Sequence, residues 1–273
     1  MIKYANIGLR YVHIILGFLI MGFIIAVLSS LLPVYLDMIA PLNEPRPRIA
    51  FLKVNIITDP NENYFMHYFA CLVLMIVTDY IVMSILFAFL IFEYHIFGIF
   101  NIIKYRLRLA TTELAEKKEE SYDMIISAIK LHQDCLKIVT TVDESFNILF
   151  GFSILELLIF LSIIPVAILE TANFYELARQ STFLVAVAGA LFVLNWPGQL
   201  LVNESEDLFL STYMGEWYRL SKESKILLII IRYRCIQPCM FTAGTFCTLN
   251  YETFALIMKS AFSYMTFLNS VRQ

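Results

Sequence analysis

Five apolar stretches, each long enough to cross a bilayer as a helix, dominate this chain. They cover residues 11–32, 68–109, 146–169, 182–201 and 248–271. At about 1.5 Å rise per residue, about 20 residues cross a hydrocarbon core about 30 Å thick. Backbone polar groups in lipid must be satisfied within the protein, which leaves helices as the spanning form for such runs. The sequence therefore predicts an all-α, multi-span helical membrane protein. Composition agrees: 59% of the 273 residues are hydrophobic and 16% are charged, whereas a soluble domain carries about 25% charge. The net charge of −3 offers no electrostatic footprint for nucleic acid. No secretory signal peptide is expected, because a weakly basic decapeptide leads straight into a full-length span.

In chain order, Lys3 and Arg10 flank the first span, and Pro33 is expected to end it. Gly17 and Gly22 permit close helix contact. Residues 33–67 read as a loop stiffened by Pro41, Pro45, Pro47 and Pro60, either a lid over an entrance or a connector. The second apolar pattern would make a helix of about 60 Å, twice the bilayer core, so it must project into water. Residues 101–139 are amphipathic and charged, as such an extension requires. Asp79, Glu93 and His95 are ionisable groups in or near that span, and intramembrane charge points to function. Asp79 is the one expected to be buried, with Glu93 and His95 at the interface. The third span carries Glu156 and Pro165, and residues 170–181 form a loop. The fourth carries Trp196, Pro197 and Gly198, which predict a kink. An acidic segment, 203–225, precedes an apolar helix, 226–241, whose Arg232 and Arg234 place it mainly below the bilayer.

Five spans put the termini on opposite sides. Fourteen Lys and Arg fall on the side of the N-terminus and of the segments 104–137 and 219–234; five fall on the other side. The positive-inside rule makes the N-terminus cytoplasmic and the C-terminus extracellular. It also predicts that the sequon Asn203–Glu204–Ser205 is cytoplasmic and unglycosylated.

The last span is not uniformly lipid-like. Ser260, Ser263, Thr266 and Ser270 interrupt it, and Lys259 sits near its middle. Ser263, Phe267, Ser270 and Val271 share a helix face. Two readings stand: a helix–helix contact through small residues, or the wall of a water-filled pore constricted by Phe267 and Val271.

Enzyme motifs are absent: there is no phosphate-binding glycine loop, HExxH or nucleophile elbow. Cys235 and Cys239 are four apart on one expected helix face, with Cys247 further on, but nothing completes a zinc site. No metal, no cofactor and no catalytic residue is expected, and the thiols read as reduced.

The C-terminal third resembles the insect odorant receptors. The pattern is Tyr213-x-x-x-Trp217, then Arg234 four residues before Pro238, then Ala243–Gly244, Leu249, Glu252–Thr253–Phe254–Ala255, Lys259, Ser263 and Leu268. The resemblance implies an odorant-gated, non-selective cation channel in the plasma membrane of olfactory neurons, acting as a heterotetramer with a shared co-receptor. It also implies an extracellular C-terminus, as the charge count does independently. The last span would line the pore, with its gate at Phe267, Ser270 and Val271. A cytoplasmic anchor would hold Tyr213, Trp217, Arg234, Pro238, Gly244 and Phe254. An outer-half pocket for small volatile hydrophobic ligands would draw on Met21, Ile25, Leu72, Met75, Ile76 and Val187. This reading divides the chain into a helix bundle (1–201), an anchor segment (202–247) and a pore span (248–273).

Two departures matter. Ile236 stands where the family usually has Gln. The family has seven spans, so this chain is expected to lack the first two and to carry a complete pore and anchor but an incomplete binding site. The alternatives are a gustatory receptor-type channel and, from another class, a G-protein-coupled receptor or transporter. The orientation and the missing acidic–Arg motif argue against a G-protein-coupled receptor, and the lack of an inverted internal repeat argues against a transporter.

Overall fold

The computed structural model describes residues 2–40, 64–171 and 174–272. The proline-rich stretch 41–63 lies outside them. Among the described residues the elements are α1 (Ile2–Ile39), α2 (Tyr64–Thr111), α3 (Lys118–Glu170), α4 (Phe174–Ser211), a 3₁₀ turn (Trp217–Arg219) and α5 (Lys222–Cys235). A small antiparallel ladder, β1 (Thr242–Ala243) with β2 (Cys247–Thr248), then leads into α6 (Tyr251–Arg272). The fold is all-α apart from that ladder.

Among the described residues three helices, α2, α3 and α4, are long and apolar enough to cross a membrane. The 22 residues of α6 span about 33 Å, enough for a bilayer, but hydroxyl residues and Lys259 dilute its apolarity. At 48 and 53 residues, α2 and α3 reach about 70–80 Å and outrun any hydrocarbon core.

The core lies in the half of the bundle where α2 and α3 join. Phe89, Ile96, Phe100, Ile103 and Leu107 form one stripe of α2. Ile125, Ala128, Cys135, Val139, Val142, Phe150 and Ile154 answer from α3, and Leu194, Leu201 and Leu208 from α4. These spacings of three, four, seven and eight put each set on one helix face. Each fully buried Leu, Ile or Phe contributes about 1.5–3 kcal/mol. Phe89 is a hub: its ring meets Phe146, Phe150 and Phe241 edge-on at 5.3, 4.8 and 4.9 Å. Outside this core the helices turn apolar residues outward, as Phe69, Leu74, Ile81 and Phe152 do, which is the surface lipid accepts.

Several boundaries differ from expectation. The extension 101–139 is not one helix. It turns at residues 112–117 and returns as the start of α3. Thr111 and Thr112 bond back to the carbonyls of Leu107 and Arg108, Ser121 Oγ donates to the Ala110 carbonyl at 3.0 Å, and Arg219 pairs with Glu116 across the turn. Folding back lets the two amphipathic faces bury each other, which a single projecting rod could not do. Pro33 does not end α1, which continues to Ile39. Pro165 and Pro197 likewise lie inside helices. A proline removes one backbone bond, and tertiary packing can hold the helix through it. Most of the expected loop 170–181 is helical, since α3 runs to Glu170 and α4 begins at Phe174, and α4 runs on through the acidic segment to Ser211. There Glu204 accepts from Lys104 Nζ of α2 at 2.7 Å. The last helix starts at Tyr251 rather than Thr248, because the β1–β2 ladder takes residues 242–248.

Candidate functional site

The site of interest is α6 and the structure that seats it. Before α6 the chain makes a tight hairpin. Gly244 adopts φ +63°, a left-handed conformation that costs glycine nothing. Two residues of α3 fix the hairpin. Asp143 accepts from the Thr242 N–H at 2.6 Å and from its hydroxyl at 2.8 Å. Asn147 donates to the Gly244 carbonyl at 3.0 Å and to the Thr242 hydroxyl, while its own carbonyl accepts from the Gly244 N–H at 3.0 Å.

From the other side α4 holds the start of α6. Asn195 Oδ1 accepts from the Asn250 N–H at 3.2 Å, and Gln199 Oε1 from the Tyr251 N–H at 3.1 Å. Asn250 caps the helix by accepting from the Thr253 N–H at 2.7 Å. Between the two acceptors, Gly198 lies so close to Leu249 that a Cβ there would stand 2.1 Å from the Leu249 carbonyl oxygen. Phe192 stacks on Tyr251 at 5.8 Å and meets Phe254 edge-on at 5.5 Å.

Above its seat α6 packs one face, Phe254, Ile257, Met258 and Ala261, against Leu161, Ile164, Val187 and Leu191 of α3 and α4. Away from this face stand Lys259, Ser260, Ser263, Thr266, Phe267, Ser270 and Val271, all exposed. Phe267 is 61% and Val271 69% exposed, too open for either to be a core residue of the protomer. The four expected gate positions therefore share one unpartnered side. Hydroxyls on it donate to their own backbone: Ser260 to Leu256 at 2.9 Å, Thr266 to Ser263 at 2.8 Å and Ser270 to Phe267 at 2.7 Å.

The expected anchor residues gather around α5. Arg232 lies over the rings of Phe209 (5.2 Å) and Tyr213 (4.8 Å), joining α5 to the end of α4. Trp217 neighbours Tyr213 at 6.4 Å. Arg234 is exposed and Pro238 half-buried. Gly244 and Phe254 belong instead to the hairpin and to the seat of α6. Cys235 ends α5 and Cys239 lies beyond it, so the two do not share a helix face. Among the described residues no group of three His, Cys, Asp or Glu is placed to hold a metal. Burial, helped by nearby Cys239, pushes the Cys135 thiol up to about 12 and that of Cys235 to about 11, so neither supplies a thiolate. His132 lies 3.9 Å from Cys235 Sγ. Burial first, and then Arg234, lowers its pKa to about 4.

The expected ligand-pocket residues divide. Leu72 and Met75 are half-buried on α2, while Ile76 and Met21 are about half exposed. Val187 is buried in the separate α3–α4–α6 cluster. The side chain of Ile25 lies outside the described residues. Among the ionisable residues the expectation is reversed: Asp79 is exposed, while Glu93 is fully buried on the core stripe of α2 with neither carboxyl oxygen paired. Glu93 recurs in step with Phe89, Ile96 and Phe100, and that spacing was the available signal. The seat residues Asn195 and Gln199 also escaped the sequence reading, although amides four apart in an apolar span mark a polar contact.

Fold and site together define a multi-span helical membrane protein whose last helix has an unpartnered, hydroxyl-bearing side. The chain belongs to the odorant receptor family, since the family model described as 7tm Odorant receptor matches residues 4–262. It is 25% identical over 186 residues to Odorant receptor 10 of Aedes albopictus, covering 64% of this chain and 48% of that one. It is 28% identical over 185 residues to Odorant receptor 9a of Drosophila melanogaster, covering 66% and 45%. It is also 23% identical over 158 residues to the odorant receptor coreceptor of Harpegnathos saltator, covering 56% and 32%. The fold matches the insect olfactory receptor OR5 of Machilis hrabei with a TM-score of 0.72 at 16% identity, over 99% of this chain and 68% of that one. The same receptor in complex with eugenol matches with a TM-score of 0.67 at 17% identity, over 99% and 69%. The chain thus spans about half the length of the first two relatives. The family is one of receptors, not enzymes.

Proposed function

We propose that this chain is an odorant receptor subunit of an odorant-gated, non-selective cation channel formed with a shared co-receptor. The observation that carries the reading is the unpartnered side of α6. Three of its hydroxyl hydrogens, those of Ser260, Thr266 and Ser270, are engaged by backbone carbonyls, so their oxygen lone pairs are left to face outward, where they suit a hydrated cation. Exposed Phe267 and Val271 on that side supply the apolar constriction that gates by dewetting. Exposed Ile226, Ile229, Ile230 and Tyr233 of α5 offer the apolar face on which subunits meet in the cytoplasmic anchor. The ligand surface lies on the outer parts of α1 and α2, with Met21, Leu72, Met75 and Ile76, and takes volatile hydrophobic molecules by shape and dispersion. The N-terminus is cytoplasmic and the C-terminus extracellular, in the plasma membrane of olfactory neurons.

An epitope tag after Gln273, probed on intact and on permeabilised cells coexpressing the co-receptor, tests the topology. Staining of intact cells is the expected result. Staining only after permeabilisation overturns the orientation, and with it the pore assignment of α6.

A further inference from the structure

We infer that Asn195 and Gln199 are positioning residues for gating: through them, movement of α4 about Pro197 shifts the conduction face of α6. The inference rests on the reading that α6 lines the channel. The first N–H groups of a helix have no partner within it. Here α4 supplies acceptors to consecutive ones, Asn250 and Tyr251, from two side chains one turn apart. Asn195 is fully buried, and its Nδ2 donates to the Leu191 carbonyl at 2.9 Å, so the amide is fixed at both ends. Gln199 is fixed likewise, its Nε2 donating to Asn203 Oδ1 at 2.9 Å. Phe192, one turn above Asn195, stacks on Tyr251, so the first turn of α6 follows α4 through rings as well as hydrogen bonds. Pro197 lies between the two amides. It lacks an N–H, and helices bend where a backbone bond is missing. The hairpin before α6 is held by another helix, α3, through Asp143 and Asn147. A shift of α4 against α3 therefore acts across the foot of α6 and tilts it.

Both amides act as hydrogen-bond acceptors, and that gives a test of the role itself. The full chain, carrying Ser263→Cys and coexpressed with the co-receptor, is labelled on intact cells with a membrane-impermeant biotin methanethiosulfonate. The same chain without that cysteine gives the background. Asn195→Leu and Gln199→Leu are expected to change the labelling rate by about fivefold, as loss of an ordinary hydrogen bond implies. Gln199→Glu keeps an accepting oxygen for the Tyr251 N–H, and Asn203 can turn its amide to donate to the other oxygen, so this variant is expected to restore the parent rate. Leucine variants that label at the parent rate, or Gln199→Glu behaving like Gln199→Leu, overturn the inference. Gln199 is half-buried, so its pair decides the matter if Asn195→Leu fails to reach the surface. Ala261→Cys, on the packed face, is the control. If it labels as fast as Ser263→Cys, or if neither labels, it is the pore reading that fails.

Discussion

Arg232 holds two elements through one side chain. Its guanidinium lies over Phe209 and Tyr213, and a cation over an aromatic face contributes about 1 kcal/mol. Arg232→Ala and Tyr213→Leu are each expected to lower the melting temperature in detergent. The double variant should lose less than the sum of the two, because the contact can be lost only once. His132 makes a different demand. It lies in the part of α3 that the sequence places outside the membrane span, and its pKa of about 4 is below the ordinary 6.5. The unfolded chain therefore binds a proton first as pH falls. Stability is full above about 6.5 and declines from there toward 4, by about 1.4 kcal/mol for each pKa unit separating the two states. Thermal unfolding between pH 7 and 5 should show this decline, and His132→Gln should flatten it. Neither role was legible in the sequence. His132 and Cys235 are 103 positions apart, and no local pattern announces their contact.

At the scale of elements, the join between α4 and α6 depends on close approach. Gly198→Ala would set a methyl group 2.1 Å from the Leu249 oxygen, and overpacking of this kind costs about 1–3 kcal/mol. The variant is expected to reach the surface in reduced amount and to label at Ser263→Cys at an altered rate, read by the same intact-cell assay. Apolar periodicity had located every long helix, because a face must be apolar to be buried or to meet lipid. It could not locate the α2–α3 turn. Residues 101–139 keep an amphipathic pattern throughout, and periodicity alone does not say whether the chain extends or doubles back. The ladder before α6 was also hidden, since four residues of strand are set by Asp143 and Asn147 of a distant helix rather than by their own propensity.

For the whole molecule, the residues expected at the gate are exposed in the single chain, so their role depends on assembly. Phe267→Ala and Val271→Ala are expected to raise ligand-independent current with the co-receptor by roughly several-fold, since shortening an apolar constriction eases wetting. Whole-cell recording without ligand checks this, and unchanged basal current in both variants would remove them from the gate.

What the sequence by itself determined is the class of the protein. Long apolar runs admit one kind of secondary structure in lipid, and the landmarks from Tyr213 to Leu268 carry the family resemblance. The tertiary structure alone decided which polar groups are buried, where the long helices double back and what grips α6. Those outcomes depend on contacts between residues far apart in the chain: Glu93 lies within the core, Asp79 stands outside it, and Asn195 and Gln199 meet Asn250 and Tyr251 from more than 50 positions away.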